Sequence, residues 1–356
     1  MILTIDGNNL FYRFCSYMAQ RNDHFLAKTG DDAALMGAVM SNINSTVRNM
    51  GLRPEAIYFT ADSAHNFRQT LPYPDMNYKG TRTYSDLFDH DVLKATIQLF
   101  GERMRDFNGW CFSKIDGFEG DDLLCLISKH YLAHGKSSII ISSDGDTRQL
   151  ASWNGKNYIA IFDTQAAKMN KYVHLDFGKY PDDEFGGLFD DSNTTELSFI
   201  STNAHIRVNP VELAFVKIMG GDSGDNVPSV YIKQVGKDKH LSFGPGYSKS
   251  LWNKKSYPAD IINQLRTSED MRRRIASDAL QHMKSHELGR IGEVADNILR
   301  NIRYMFLDEM VYDGNQIAVV EEHIHNHKLM PTNIYTSYLD RLFDNERPAP
   351  AISIEL

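Results

Sequence analysis

A mainly parallel α/β sheet flanked by helices, followed by a helical second half, is the fold class this sequence predicts. Three observations predict it. Short apolar, β-branched runs alternate with stretches of helical apolar spacing over residues 1–162. The runs end in polar turn formers rather than continuing. Beyond residue 209 the strand signals give way to helical spacing.

Residues 1–5, 56–60, 110–112, 138–142 and 158–162 read as strands. Residues 10–19, 33–50, 91–107 and 120–133 read as helices, with Asp31-Asp32 as caps for the second, and a turn and short helix run to Leu150. The later helices are expected over 210–219, 246–253, 260–265, 269–284, 291–302 and 316–327. Residues 163–208 are polar and acidic, carry Gly186-Gly187, and read as an insertion or long loop with a hairpin at 171–175. The tail 347–356 holds two prolines and reads as frayed. No internal repeat is evident.

A chain of 356 residues suits one large or two modest domains. With 42% hydrophobic and 24% charged residues, it has an ordinary globular composition. No apolar run approaches a membrane span, and the N-terminus lacks the basic start and apolar middle of a signal peptide, so a cytoplasmic protein without a membrane partner is expected. Cys15, Cys111 and Cys125 have apolar neighbours and no metal-ligand spacing, so they read as buried free thiols.

The formal charge of −8 argues at first against a nucleic-acid partner. The placement of the acids reverses that reading. Asp6 directly follows the first strand and Asp62 the second. Glu119, Asp121 and Asp122 follow the third and open a helix, and Asp144 and Asp146 follow the fourth. In a parallel α/β sheet, ligands bind beyond the carboxyl ends of the strands, so these acids converge on one crevice. Asp222 and Asp225, after a later helix, close it from the side. Setting these nine acids aside moves the formal charge from −8 to +1. Residues 176–196 carry seven more acids against one lysine, which leaves the remaining surface free to be basic in places.

Carboxylates packed together raise one another's pKa, and divalent cations resolve the conflict. Oxygen-only ligands favour Mg²⁺, with Mn²⁺ able to substitute, over Zn²⁺. Two ions roughly 3.5–4 Å apart suit in-line displacement at phosphorus. A single Asp after a strand is more often a helix cap or turn residue. Four such placements and two tight clusters exceed what capping supplies. Asp122 reads equally as a helix N-terminal acid, and Asp222 as a supporting acid behind the ligands.

Leu3-Thr4-Ile5-Asp6-Gly7, Asp62, Gly117-Phe118-Glu119-Gly120-Asp121-Asp122, Ser143-Asp144-Gly145-Asp146 with Gln149-Leu150, and Gly221-Asp222-Ser223-Gly224-Asp225-Asn226-Val227-Pro228 occur in this order. Together they resemble the flap endonuclease and 5′-3′ exonuclease family, most closely its bacteriophage ribonuclease H branch, which removes primers from lagging-strand fragments. The resemblance implies a PIN-like nuclease domain over 1–162 with an arch at 62–91. It also implies a helical DNA-binding part over 209–346 with a degenerate helix–hairpin–helix. One metal ion is implied near Asp6, Asp62, Glu119 and Asp121, and a second near Asp144, Asp146 and Asp225. Because Tyr78-Lys79-Gly80-Thr81-Arg82 is similar to the family's Tyr-Lys-x-x-Arg element, Arg68, Lys79 and Arg82 are implied beside the scissile phosphate. The implied substrates are 5′ ends of DNA or RNA–DNA hybrids, as flaps or frayed ends. The expected enzyme is a monomer, with a single-strand-binding or replication protein as a possible partner. The family's Gly-Ile-Gly is missing; only Gly244-Pro245-Gly246 remains of a Gly-rich turn, which puts the potassium site of that motif in question.

Read from the residues alone, 62–91 is irregular and rich in aromatics interleaved with Arg68, Lys79 and Arg82. Tyr78 and Tyr84 suit stacking on unpaired bases, although any single ring is more often packed on the body. Lys79 and Arg82, just after an acid-bearing strand, suit neutralising developing phosphate charge. Lys249, Lys254 and Lys255 follow the Gly-Pro-Gly turn and suit duplex phosphates. Arg272-Arg273-Arg274 reads as a solvated helix face. His323 and His327 have i, i+4 spacing but no acid of the zincin pattern between them, so a surface helix is expected there.

Two other functions compete. A PIN-like single-strand ribonuclease would need the same acids but not the basic helical half. A non-catalytic DNA-binding replication accessory would have lost some of the acids, and none is lost here. An aspartyl-phosphate phosphatase is set aside, because Asp6-Gly7-Asn8 lacks a second Asp two residues on.

Overall fold

A hydrophobic run can be a central strand only if both of its faces are covered, and the first four strands satisfy this almost residue for residue. The computed structural model describes residues 1–21, 25–26, 30–49, 52–73, 76–80, 86–105, 107, 109–154, 156–163, 172–175, 205–236, 239–255, 257–285 and 287–329. The chain forms two compact units. One comprises Met1–Ala64, Tyr84–Ser143 and Ala318–Leu356, and the other His65–Thr83 and Asp144–Ile317.

In the first unit, β1 (Ile2–Asp6), β2 (Ala56–Thr60), β3 (Trp110–Ser113) and β4 (Ser138–Ile141) lie in the order β3-β2-β1-β4, all parallel. Every residue of β1, β2 and β4 is buried, as expected of a parallel sheet covered on both faces. The register pairs Asp6 with Thr60, Thr60 with Ser113, and Ile5 with Ile141, so the carboxyl ends line one edge. The helices are α1 (Gly7–Ala19), α2 (Asp31–Asn49), α3 (His90–Arg105) and α4 (Gly120–Ala133). α4 packs along β1, β2 and β4, and α3 against β3, while α1, α2 and α3 pack on one another. The rings of Phe11, Phe59 and Phe100 meet with centroids 5.1–6.0 Å apart and join α1 and α3 to β2.

α1 starts at Gly7, three residues earlier than apolar spacing suggests. Asp6 is both the last residue of β1 and the N-cap of α1, accepting from the Asn9 N–H at 2.9 Å. A Cβ at position 7 would lie 2.4 Å from the Phe59 ring and 2.5 Å from the Thr60 carbonyl oxygen, so only glycine lets the helix begin against β2.

Among its described residues, the second unit carries three strand pairs. β5 (Ser152–Trp153) and β6 (Tyr158–Phe162) are antiparallel. β7 (Tyr172–Leu175) pairs in parallel with β8 (His205–Val208), which corrects the hairpin expected at 171–175. β9 (Ile232–Gly236) and β10 (Lys239–Ser242) form an antiparallel pair that the helical reading of this half did not contain. The rest of 163–208, apart from residue 163, and the tail 347–356 lie outside the described residues.

The helical body is α5 (Pro210–Gly220), α6 (Pro245–Lys255), α7 (Ile261–Thr267), α8 (Glu269–His282) and α9 (Ile291–Met305), close to the extents expected. Asn209 caps α5 by accepting from Val211 and Glu212 N–H, and Ser268 caps α8 by accepting from Met271 N–H. Phe215, Ile218, Leu265, Ile275, Ile298 and Ile302 are central to the core these helices share. α10 (Gly314–His325) ends the described helices. Among the described residues, no helix is long and apolar enough to cross a membrane. Cys15, Cys111 and Cys125 are buried free thiols, and burial pushes Cys15 up to about 12 and Cys111 to about 11.

Candidate active site

Two sets of acids result, one in each unit. In the first, Asp6 is 4% exposed, and beyond its cap its other oxygen accepts from the Ser142 hydroxyl at 2.7 Å. Asp62 lies just past β2 on a strap pinned by Ala61 N–H to Ser113 O and Ser63 N–H to Phe118 O. Its Oδ1 accepts from Gly120 N–H at 2.7 Å, at the first turn of α4, and its Oδ2 from the Asn8 amide at 3.0 Å. The positive end of the helix therefore faces the acid. Asn8 also accepts from Asp62 N–H at 3.1 Å, and the Asn9 side-chain oxygen accepts from Ser143 N–H and its hydroxyl at 3.2 and 2.7 Å. Glu119 and Asp121, partly exposed, stand at the start of the same helix. Asp122 is fully buried and accepts from Glu119 N–H at 2.9 Å, so its carboxylate closes the helix end and corrects its reading as a ligand.

In the second unit, Asp144 Oδ1 accepts from Asp146 N–H at 2.8 Å where a short 3₁₀ turn, Asp146–Leu150, begins. Gln149 anchors that turn through Met305 O and Leu307 N–H. Asp222 and Asp225 sit on the tight loop after α5, closed by reciprocal hydrogen bonds of 2.8 Å between Asp222 and Val227. Asp222 Oδ1 accepts from Gly224 N–H at 2.8 Å. Asp225 accepts from the Tyr78 hydroxyl at 3.3 Å, and its carbonyl from Lys79 N–H at 2.9 Å.

Lys217, on the last turn of α5, pairs with Asp146 Oδ1 and, at 2.9 Å, with Asp222 Oδ2. Burial raises the Asp146 carboxyl above its ordinary value, and Asp144 adds to this; Lys217 does not fully offset them. Burial alone would raise Asp222 too, but the Lys217 hydrogen bond and charge and two backbone N–H groups outweigh it, leaving it low. Burial acts to lower Lys217, yet its two carboxylates hold it above its ordinary value, and the ammonium stays charged. Two carboxylates around one ammonium leave one negative charge over, and Asp146, which Asp144 also pushes upward, is the acid on which it falls.

Several expected contacts are placed differently. Arg68 is 1% exposed; its Nε donates to Tyr304 O at 2.9 Å and its guanidinium lies 4.7 Å from the Phe67 ring centre, so it is a buried structural cation rather than an open phosphate ligand. Tyr78 is 8% exposed and packed with Val227, Tyr304 and Met305, which removes its ring from base stacking. Arg82 and Tyr84 lie outside the described residues. Lys79 has a left-handed backbone, φ +57°, with its ammonium 5.2 Å over the Tyr78 ring. Lys249 and Lys255 pair with the partly buried Glu212 and Asp278 at 3.6 and 2.8 Å, and Lys254 is exposed.

The segment 316–327, expected to be a surface helix, turns His323 and His327 inward and leaves His325 exposed. His323 Nε2 lies 2.9 Å from Ser113 Oγ and 3.3 Å from Cys111 Sγ, and the His327 ring packs on Tyr58. Burial lowers the pKa of both. Sequence reading also passed over Asn8, Asn9 and Lys217. The signals were present: two consecutive asparagines directly after a strand-ending acid, and a lysine in an otherwise apolar helical turn.

Among the described residues, no three His, Cys, Asp or Glu side chains are gathered closely enough to hold a metal ion. The donor chemistry nevertheless suits a hard divalent cation: the acids offer only oxygen, and Asp146 and Asp222 already converge on one cationic group.

Residues 1–178 match the family model described as 5′-3′ exonuclease, N-terminal resolvase-like domain. Among solved structures, the chain is similar to the T5 5′-exonuclease with divalent zinc ions bound, at 16% identity and a TM-score of 0.51, over 92% of this chain and 99% of that one. It is similar also to the bacteriophage T5 flap endonuclease in a pseudo-enzyme–product complex with DNA and metal ions, at 16% identity and a TM-score of 0.51, over 91% and 97%. At that identity the likeness is one of fold.

Proposed function

The chain belongs to the 5′-3′ exonuclease family, and on that premise we propose that it is a magnesium-dependent 5′-nuclease acting on DNA and RNA–DNA hybrids at flaps or frayed 5′ ends, in primer removal. One observation carries the reading. Asp6 and Asp62 stand at the aligned carboxyl ends of β1 and β2, with Asp62 held against the first turn of α4 that bears Glu119 and Asp121. Divalent cations bound by these acids, and by Asp144, Asp146 and Asp225 in the second unit, would supply an activated water and charge neutralisation at phosphorus.

The chain's own residues do the rest. Asn8 and Gly120 N–H fix both oxygens of Asp62, and Ser142 and Asn9 N–H fix Asp6, so neither carboxylate has to be oriented during turnover. Lys79 offers an ammonium to the phosphate as negative charge develops, and Lys249, Lys254 and Lys255 hold duplex backbone. Mn²⁺ serves in place of Mg²⁺ because both are accepted by oxygen donors.

The test is digestion of 5′-labelled flap, nicked and RNA–DNA substrates with the full-length protein in Mg²⁺, beside an EDTA control and Asp62→Asn. Cleavage from the 5′ side that vanishes in EDTA and in the variant is expected. Cleavage that survives chelation, or that is confined to unpaired RNA, would overturn the reading.

A further inference from the structure

A lysine in the last turn of a helix ordinarily extends into water, where its charge costs nothing. Lys217 does the reverse. α5 buries Ala214, Phe215, Ile218 and Met219 around it, and its ammonium turns onto Asp146 and Asp222. The two acids come from different elements, the start of the 3₁₀ turn and the loop after α5, and nothing in the local sequence of either brings them together. Each is also fastened from its own side: Asp222 by Gly224 N–H at 2.8 Å, and Asp146 through its own N–H to Asp144 Oδ1, also at 2.8 Å. The lysine therefore links two anchored carboxylates. It does not neutralise the pair, because Asp146 and Asp222 outnumber it.

We propose that Lys217 is the built-in counter-ion of the Asp146–Asp222 pair: its ammonium holds the two carboxylates together in the metal-free protein and yields its place when a divalent cation enters. The proposal rests on the metal-dependent reading above and deepens it. Cation entry is then an exchange rather than an addition. One positive charge withdraws on a flexible four-carbon stem, and two arrive where two carboxylates stand. The arrangement keeps like-charged acids from pushing the loop and the turn apart before the ion arrives, and it weakens the ion's hold by the strength of the pair it displaces. Lys217 is in this sense a positioning residue.

The test titrates Mn²⁺ alone into the full-length protein by calorimetry, with no nucleic acid present, and measures melting in EDTA and in saturating Mn²⁺. The proteins are wild type, Lys217→Met, Lys217→Gln and Asp146→Asn. Both lysine variants should bind Mn²⁺ roughly tenfold tighter at the site that Asp146→Asn removes, the effect of deleting about one partly buried competing charge. Both should melt lower than wild type in EDTA and recover most of the difference in Mn²⁺. Unchanged or weaker Mn²⁺ binding that still depends on Asp146 overturns the counter-ion role and leaves the metal reading standing, as does an equal loss of melting temperature in both conditions. Mn²⁺ binding indifferent to Asp146→Asn overturns both.

Discussion

The backbone N–H of Lys79 donates to the carbonyl oxygen of Asp225 at 2.9 Å. Around it, Asn226 Nδ2 donates to Asn77 O at 2.9 Å and the Tyr78 hydroxyl to Asp225 Oδ2 at 3.3 Å, so residues 77–79 and 225–226 are fastened through backbone as well as side chain. The tether runs through the Lys79 backbone N–H, not its ammonium, which separates the two roles of the residue. Lys79→Ala should fold with only a small drop in melting temperature, from the lost contact with the Tyr78 ring, and cleave roughly 100-fold more slowly in single turnover, the usual cost of one missing charge-stabilising donor. Lys79→Pro removes the N–H and cannot adopt φ +57°, so it should lose about 3 kcal/mol in a denaturant melt as well. A wild-type single-turnover rate for Lys79→Ala would take the ammonium out of the reaction.

The loop that carries Asp222 and Asp225 opens with Gly221 at φ +72°. A Cβ there would come within 2.5 Å of Pro228 C, Ser229 N and Val227 O, all backbone atoms that cannot swing aside. Gly221→Ala should therefore cost at least about 2 kcal/mol through positive φ and overlap together, and should lower the affinity for Mn²⁺ because Asp222 leaves its place. The check is a urea melt paired with a Mn²⁺ titration. A variant with wild-type stability would mean that the loop relaxes more freely than its reciprocal hydrogen bonds imply.

The sheet and its acids were legible because both signals are local. Each strand is a short apolar run, and Asp6, Asp62, Glu119 and Asp144 fall at or just beyond where such a run stops. The start of α1 was not, because Gly7-Asn8-Asn9 has no apolar period and enters the helix on the strength of the Asp6 cap and close packing on Phe59. The β7–β8 pairing joins stretches far apart in sequence, and β9–β10 is too short and polar for its alternation to register. In the irregular segment 62–91 no periodicity distinguishes an exposed cation from a buried one. Arg68, inside the fold on Tyr304 O, was accordingly misplaced. The same blindness hid Lys217, whose partners are fixed only by tertiary structure.

Glu287 collects three donors: Lys233 at 2.8 Å, the Tyr231 hydroxyl at 2.9 Å and Arg290 at 3.2 Å. The Lys233 hydrogen bond first, then those of Tyr231 and Arg290, lower its carboxyl from 4.5 to about 2. A carboxyl lowered by folding stabilises the fold above its unfolded value and stops doing so as pH falls through its folded value. Glu287→Gln should melt below wild type at pH 7, and the gap should close between about pH 4.5 and pH 2. Thermal melts across that range read the difference directly. A gap constant from pH 7 to pH 2 would assign the effect to packing and not to charge.

Asn8 holds Asp62 twice, donating to Oδ2 at 3.0 Å and accepting from its N–H at 3.1 Å. Gly120 N–H holds the other oxygen, so Asn8→Ala leaves the acid in place but less firmly oriented. A group that orients a metal-binding carboxylate typically costs 10- to 100-fold in metal affinity when removed. Asn8→Ala should therefore shift the midpoint of the Mg²⁺ dependence of cleavage upward by roughly tenfold. Near-normal turnover should return at saturating Mg²⁺, because the carboxylate itself remains. Asn8 is only partly buried, and its loss should change the melting temperature in EDTA little. The decisive comparison is the Mg²⁺ midpoint against the maximal rate. If the maximal rate falls and the midpoint stays fixed, Asn8 acts on the substrate rather than through Asp62.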